Sequence, residues 1–259
     1  MSFPSAAGLR DGWRTMDGAP ALVHIADMTD SLMTLLLAVA VFVGSHFALT
    51  GDGIRRVLVA RLGEGGFAAV FSAVAVIFLV WVVMSYGAAR MDNILLWPHL
   101  PALDMVPVIV MPFALVLIVC AVTTRSPTAA GGEALASDPR PQQGIVTVTR
   151  HPMLVGVTLA CFAHMAPNGD AASVILFGGL AILSLGGIAH IDQRRRQSLG
   201  AKWGPIALTT GVVPFLAAMQ GRTRIDWSGI GIWRVVLGLA VYVALIYAHG
   251  WFTGVPLGW

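Results

Sequence analysis

Long runs of apolar residues, separated by short polar or basic stretches, make up most of the chain. Six of these runs approach the roughly 20 apolar residues that an α-helix needs to cross a bilayer core. They cover residues 31–50, 66–87, 102–122, 152–169, 171–191 and 228–251. The pattern predicts an all-α fold, a polytopic transmembrane helical bundle of about six spans.

Two stretches fall outside this pattern. Residues 203–220 are apolar but are interrupted by two prolines and a glycine, which favours an interfacial or re-entrant segment over a seventh span. Residues 1–30 carry two arginines and four aspartates and contain no apolar core of the kind that a cleaved signal peptide needs. We expect them to form a peripheral or disordered extension, followed by a single transmembrane domain over residues 31–259.

Composition agrees with a membrane location. Hydrophobic residues make up 57% of the chain and charged residues only 11%, whereas soluble domains carry about 25% charged residues. The net charge of +3 does not indicate nucleic acid binding, because the basic residues lie mainly between apolar runs. Both cysteines, Cys120 and Cys161, lie inside apolar runs, so a disulfide scaffold is not expected.

The basic residues predict an orientation. Of the sixteen, twelve fall in the loops that follow the first, third and fifth runs. They are Arg55, Arg56, Arg61, Arg125, Arg140, Arg150, Arg194, Arg195, Arg196, Lys202, Arg222 and Arg224. Because cytoplasmic loops carry an excess of Lys and Arg, we expect these loops in the cytoplasm and both termini outside.

The fourth run contains the strongest candidate for a functional site. Residues 151–164, which begin directly before this run, place His151, Cys161 and His164 in a segment that is otherwise suited to lipid. Ionisable groups at membrane depth are costly and usually face a protein interior, a cavity or a cofactor. Cys161 lies three residues before His164 and therefore on the same helix face. Imidazole and thiolate are both ligands of haem iron, which makes this pair a candidate metal site.

His46, near the end of the first run, is a second candidate, with a structural hydrogen-bonding role as the equal alternative. The chain contains no CxxC, CxxCH, GxGxxG or HExxH motif, and no run holds a pair of carboxylates. The sequence therefore indicates no catalytic residue.

Several short motifs taken together resemble a known family. They are GSHF in the first run, GIVTVTRHP before the fourth, AH followed by NGD in the turn after it, Asp192 with its basic run, and the late Trp203, Pro214-Phe215 and Gly221-Arg222. Between about Met33 and Arg222 the chain resembles the NnrU family of bacterial membrane proteins. That family is similar to the 15-cis-zeta-carotene isomerases of plants and cyanobacteria.

This resemblance implies a non-covalently bound haem b in the bacterial inner membrane. His46 and His164 match the axial ligand positions, and Cys161 matches an alternative ligand that replaces histidine in one redox state. His151 resembles a further family histidine. The resemblance also implies a hydrophobic polyene as substrate, or nitric oxide as ligand, since the NnrU branch is linked to nitrite and nitric oxide reduction.

Depth in the membrane favours a different ligand pair. His46 and His151 are both expected at the cytoplasmic end of their helices, whereas His164 lies 13 residues beyond His151, about 20 Å along a helix. Depth therefore favours His46 with His151, and the resemblance favours His46 with His164. In either case Arg150 is expected to pair with a haem propionate, because arginine binds carboxylates in a fixed bidentate geometry.

Four functions remain as hypotheses: a haem b protein of nitrite or nitric oxide metabolism, a carotene cis–trans isomerase, a membrane methyltransferase, and a non-enzymatic accessory or sensing protein of a denitrification enzyme. The methyltransferase hypothesis depends on the Arg150-His151-Pro152 string, but the Glu-rich motif that follows it in such enzymes is absent. The sequence leaves open the substrate and the oligomeric state, and membrane lipid is the one partner it indicates directly.

Overall fold

The computed structural model describes the backbone of residues 21–91, 93–126 and 142–254, with side chains from residue 30 onward. Within these ranges the chain forms nine α-helices. They are α1 (Ala21–Thr50), α2 (Asp52–Ala89), α3 (Met105–Thr123), α4 (Pro152–Met165), α5 (Ala171–Leu199), α6 (Trp203–Thr209), α7 (Leu216–Met219), α8 (Trp227–Ile230) and α9 (Ile232–Thr253). The predicted all-α fold class is confirmed.

Five of the described helical stretches are long and apolar enough to cross a bilayer. They are Asp30–Thr50, Asp52–Ala89, Pro101–Thr123, Ala171–Thr209 and Ile232–Thr253. The predicted segment 152–169 forms the 14-residue helix α4, about 21 Å long. This helix ends at Met165, two residues before Pro167, which has no backbone N–H to continue the helical hydrogen bonds. The protein is a multi-pass helical membrane protein.

Helix α2 is bent at a glycine. Gly63 has φ 73° and ψ 172°, a conformation that is essentially restricted to glycine. The chain therefore forms one helical stretch over residues 52–62, which carries three arginines, and a second, apolar stretch over residues 64–89. The apolar run predicted over residues 66–87 corresponds to the second stretch of α2 alone.

The segment predicted to be interfacial or re-entrant contains only short helices. α6 has seven residues and α7 has four, and the chain is extended between them at Thr210. Neither helix has the length needed to span a bilayer. The placement of this segment at the membrane surface stays a prediction.

The contacts divide the chain into two compact units. The first comprises Met1–Pro98 and Gly169–Gly179, and the second comprises His99–Asn168 and Leu180–Trp259. Residues 1–20 lie outside the described residues, so the extension predicted over residues 1–30 stays a prediction. The same applies to the single domain predicted over residues 31–259.

In the first unit, the turn before α5 is joined to the chain that follows α2. The Gly169 carbonyl accepts hydrogen bonds from the amides of Leu96 and Trp97, at 2.7 and 3.0 Å. The amide nitrogen of the Asn93 side chain donates to an Asp170 carboxylate oxygen at 2.6 Å. A side chain at Gly169 would overlap Trp97, so this close approach requires a glycine.

In the second unit, α3 packs against both α4 and α9. A Cβ at Gly156 of α4 would lie 2.8 Å from the Ala114 carbonyl oxygen of α3. A Cβ at Gly238 of α9 would lie 2.8 Å from the Val116 backbone of α3. Small residues at these positions let the helices approach closely, which is how transmembrane helices gain most of their packing energy.

We predict that Gly156→Ala lowers the unfolding free energy by about 1–3 kcal/mol, because the added methyl group overpacks the α3–α4 contact. Gly178→Ala in α5 is the matched control, since no described atom lies within 4 Å of its Cβ position. There the gain in helix propensity should leave stability unchanged or slightly raised. Thermal unfolding in detergent micelles measures both variants, and equal melting temperatures would contradict the prediction.

Candidate functional site

The candidate site is built on a buried piece of chain in the second unit, which begins with a 3-10 helix (Gly144–Thr147) and continues without regular structure to His151. Every residue from Gly144 to His151 is buried, although α4 begins only at Pro152. Buried backbone outside a helix must find hydrogen-bond partners elsewhere. The Arg150 amide donates to the Gly211 carbonyl at 2.7 Å, and the Phe215 amide donates to the Val148 carbonyl at 2.9 Å.

The other end of this buried segment is bound by Asp226, which precedes α8. One oxygen of the Asp226 carboxylate accepts the Gly144 amide at 2.9 Å, and the other accepts the Gly229 amide at 2.8 Å. The Asp226 amide donates to the Thr147 hydroxyl at 3.0 Å. A single carboxylate thus caps α8 and fixes the start of the GIVTVTRHP motif.

A cluster of charged side chains lies where this segment meets α4 and α5. The Arg150 guanidinium donates to both carboxylate oxygens of Asp192, from Nε at 3.1 Å and from Nη2 at 2.6 Å. His151 Nε2 donates to Asp192 Oδ1 at 2.7 Å. Arg150 also donates to the Thr210 hydroxyl at 3.1 Å and lies over the Trp203 ring at 5.4 Å. We call Arg150, His151 and Asp192 the RHD cluster.

The RHD cluster is a buried and internally paired network. Arg150 is 8% exposed and His151 is 4% exposed. Burial of a charge is tolerated when it is paired and its hydrogen bonds are made, as they are for this guanidinium. Sequence reasoning selected Arg150 and His151 as cofactor-binding residues but did not pair them with Asp192. The only signal for that pairing was a carboxylate at the predicted end of the next span.

His46 lies in the first unit, on α1, and is half-buried. Its Nδ1 is 2.7 Å from the Phe42 carbonyl oxygen, which can only accept, so Nδ1 carries the proton. The neutral ring then has its lone pair on Nε2. The rings of Phe42 and Phe71 contact the imidazole edge-on, with centroids 4.5 and 5.2 Å away.

His164 and Cys161 lie in the second unit, on α4, where Cys161 is 3% exposed and His164 is half-buried. His164 Nδ1 donates to the Ala160 carbonyl at 2.8 Å, which places the lone pair of the neutral ring on Nε2, as in His46. His46 and His164 therefore share the tautomer of most iron- and zinc-binding histidines, whose second nitrogen donates to a carbonyl or carboxylate.

This donor set fits the haem that the sequence resemblance implies. Imidazoles that donate from Nδ1 to a carbonyl, in apolar helices, are chemically suitable to hold haem iron, and Cys161 offers a thiol on the His164 helix. Among the described residues, no group of three or more His, Cys, Asp or Glu side chains forms a metal site of another kind. His151 fits less well, because its ring is almost completely buried beside Asp192.

The fold and this site define a multi-pass helical membrane protein with imidazole and thiol groups in apolar helices. A family model described as NnrU protein matches residues 34–257, and the chain belongs to the NnrU family. No solved structure matches the chain.

Two plant enzymes are similar to part of the chain. One is the chloroplastic 15-cis-zeta-carotene isomerase of Zea mays, 32% identical over 84 residues, which are 32% of this chain and 23% of that protein. The other is the same enzyme of Arabidopsis thaliana, 33% identical over 81 residues, which are 31% of this chain and 22% of that protein. The match spans less than a quarter of each relative, and over that part the chain is carotene-isomerase-like.

We predict that Asp192→Ala lowers the unfolding free energy by about 3 kcal/mol, because it leaves the buried Arg150 guanidinium without its counter-charge. Asp104→Ala is the matched control, since Asp104 pairs with His99 at the same kind of distance but both side chains are more than half exposed. An exposed pair contributes at most about 1 kcal/mol. Thermal unfolding of the two variants in one detergent measures the difference, and similar losses would refute a stabilising role for the RHD cluster.

Proposed function

We propose that this protein is an integral membrane haem b protein that acts as a cis–trans isomerase on a hydrophobic polyene. The observation that supports this most directly is the shared geometry of His46 and His164. Each holds its Nδ1 proton on a carbonyl of its own helix, so the lone pair of the neutral ring is on Nε2. The partial similarity to carotene isomerases supports the substrate class.

In this proposal His46 and His164 would hold the haem iron, and Cys161 would be an alternative to His164. His151 is not a ligand in this proposal, because its ring is almost completely buried and is held by Asp192. Of the two ligand pairs left open by the sequence, the proposal takes the one with His164, because the His151 side chain is only 2% exposed.

When bound, haem supplies an iron that is redox-active and Lewis-acidic. The protein's own part is to orient the imidazole rings and to exclude water from them. The Phe42 and Phe71 rings fix the His46 imidazole and surround it with apolar surface. The His164 ring is oriented by the hydrogen bond from its Nδ1 to the Ala160 carbonyl. The RHD cluster binds no ligand in this proposal and positions the start of the helix that carries Cys161 and His164.

We expect the purified wild-type protein to show the Soret and α bands of haem b after reduction, with haem b recovered by pyridine extraction. His46→Ala and His164→Ala should each remove the six-coordinate spectrum, because one axial ligand is lost. His99→Ala is the control, since His99 is exposed and pairs with Asp104. A colourless wild-type protein expressed with ample haem, or a His46→Ala variant with an unchanged spectrum, would contradict the proposal.

The enzymatic part is tested separately. In carotenogenic cells that lack their own isomerase, expression of this protein should convert the accumulated 15-cis carotene to the trans isomer, as resolved by chromatography of the extracted pigments. His164→Ala should lose this conversion at equal expression. A haem-loaded wild-type protein without conversion would support the accessory function and reject the isomerase.

A further inference from the structure

Arg55 is an arginine in the first unit whose hydrogen bonds are incomplete. Its Nη2 donates to both carboxylate oxygens of the exposed Glu64, at 2.9 and 2.7 Å, and its side chain is only 18% exposed. The guanidinium lies 5.2 Å from the centre of the Phe67 ring. Its Nε is buried, and it donates to no acceptor in the part of the chain that the structure describes.

A buried donor on a charged group needs an explanation. Buried polar atoms in native proteins are almost always hydrogen-bonded to protein, to water or to a ligand, and an unmatched one is destabilising. The guanidinium plane presents its N–H groups as a rigid fork that matches carboxylate oxygens. The unmatched Nε therefore indicates an acceptor from outside the described chain.

The surroundings of Arg55 lead to His46 through a row of aromatic rings. Phe67 stacks with Phe71 at a centroid distance of 6.2 Å, and Phe71 contacts the His46 ring edge-on at 5.2 Å. The row thus carries a guanidinium at one end and an imidazole at the other, all within one unit. This arrangement suits a flat apolar ligand with a carboxylate at its edge.

Arg150, which the sequence indicated as the carboxylate-binding residue, already donates a hydrogen bond from each of its three guanidinium nitrogens. Two of its nitrogens bind Asp192 and a third binds Thr210. Arg55 instead follows the first span, at the predicted cytoplasmic edge, where the carboxylates of a membrane-bound ligand can reach polar surroundings.

We propose that Arg55 binds a carboxylate of the ligand that His46 coordinates, namely a propionate of haem. This inference rests on the proposed function. It assigns to Arg55 the role that the sequence suggested for Arg150, and it makes the row of Phe67 and Phe71 the apolar wall between the propionate and the axial imidazole.

The test compares haem with its dimethyl ester, in which both propionates are uncharged. Full-length wild-type protein, Arg55→Gln and Arg56→Gln are prepared without haem in phosphatidylcholine nanodiscs and titrated with each porphyrin by absorption. Arg56 is the matched control, because it is the exposed neighbour and its Nε already donates to the Asp52 carbonyl. Comparison across variants cancels the different partitioning of the two porphyrins into lipid.

We expect esterification to weaken wild-type binding by about tenfold to hundredfold, the range of a charge-assisted hydrogen bond. Arg55→Gln should bind haem more weakly than the wild type by the same factor, and it should bind haem and the ester with almost equal affinity. Arg56→Gln should behave as the wild type. If Arg55→Gln folds poorly, Arg55→Lys provides the same comparison, because lysine keeps the positive charge but lacks the Nε donor, and it should lose most of the ester effect.

Three outcomes would overturn the proposal. If Arg55→Gln retains the full ester effect, another residue binds the propionates, while the haem function stands. If the wild type binds neither porphyrin, the proposed function fails together with this inference. If the wild type binds haem and its dimethyl ester equally, Arg55 binds no propionate. If Arg55→Gln, unlike Arg56→Gln, then also binds less phosphatidylglycerol in nanodiscs that contain this lipid, the acceptor is a lipid phosphate.

Discussion

The hydrogen bonds and charge pairing at Asp192 are the interaction on which the second unit depends most. This carboxylate receives the Arg150 guanidinium and the His151 imidazole, and so joins α5 to the buried segment from which α4 starts. Arg150 and Thr149 in turn bind the chain around Gly211 and Val212. In surroundings with little water, such a network is stable only when every member is paired, so loss of the carboxylate affects all of it.

The histidines show that the hydrogen-bond partner decides which ring nitrogen carries the proton. His46 and His164 donate from Nδ1 to a carbonyl of their own helix, which leaves Nε2 as an acceptor or metal ligand. His151 uses Nε2 on a carboxylate from another helix. The family motif alone does not separate these roles, because the tautomer and the coordinating nitrogen follow from the partner.

The arginines divide in the same way. Arg150 is bound on two of its edges, and Arg234 donates to the Thr123 and Ile230 carbonyls, where it caps the ends of α3 and α8. Arg55 differs, since its Nε has no acceptor in the described chain. The partners of each guanidinium thus differ from one arginine to the next, although the sequence presents them alike.

The sequence by itself determined the all-α membrane fold and most helix positions. The bilayer thickness sets the length of apolar sequence that a span needs, and the absence of water in lipid requires each span to make its own backbone hydrogen bonds. It also indicated the residues with candidate chemistry, through the GSHF and TRHP motifs. It did not predict the bend at Gly63 within α2, because hydropathy is insensitive to a single φ angle. Only the tertiary structure decided which partner each ionisable side chain takes, since Arg150 and Asp192 are 42 positions apart and meet through helix packing alone.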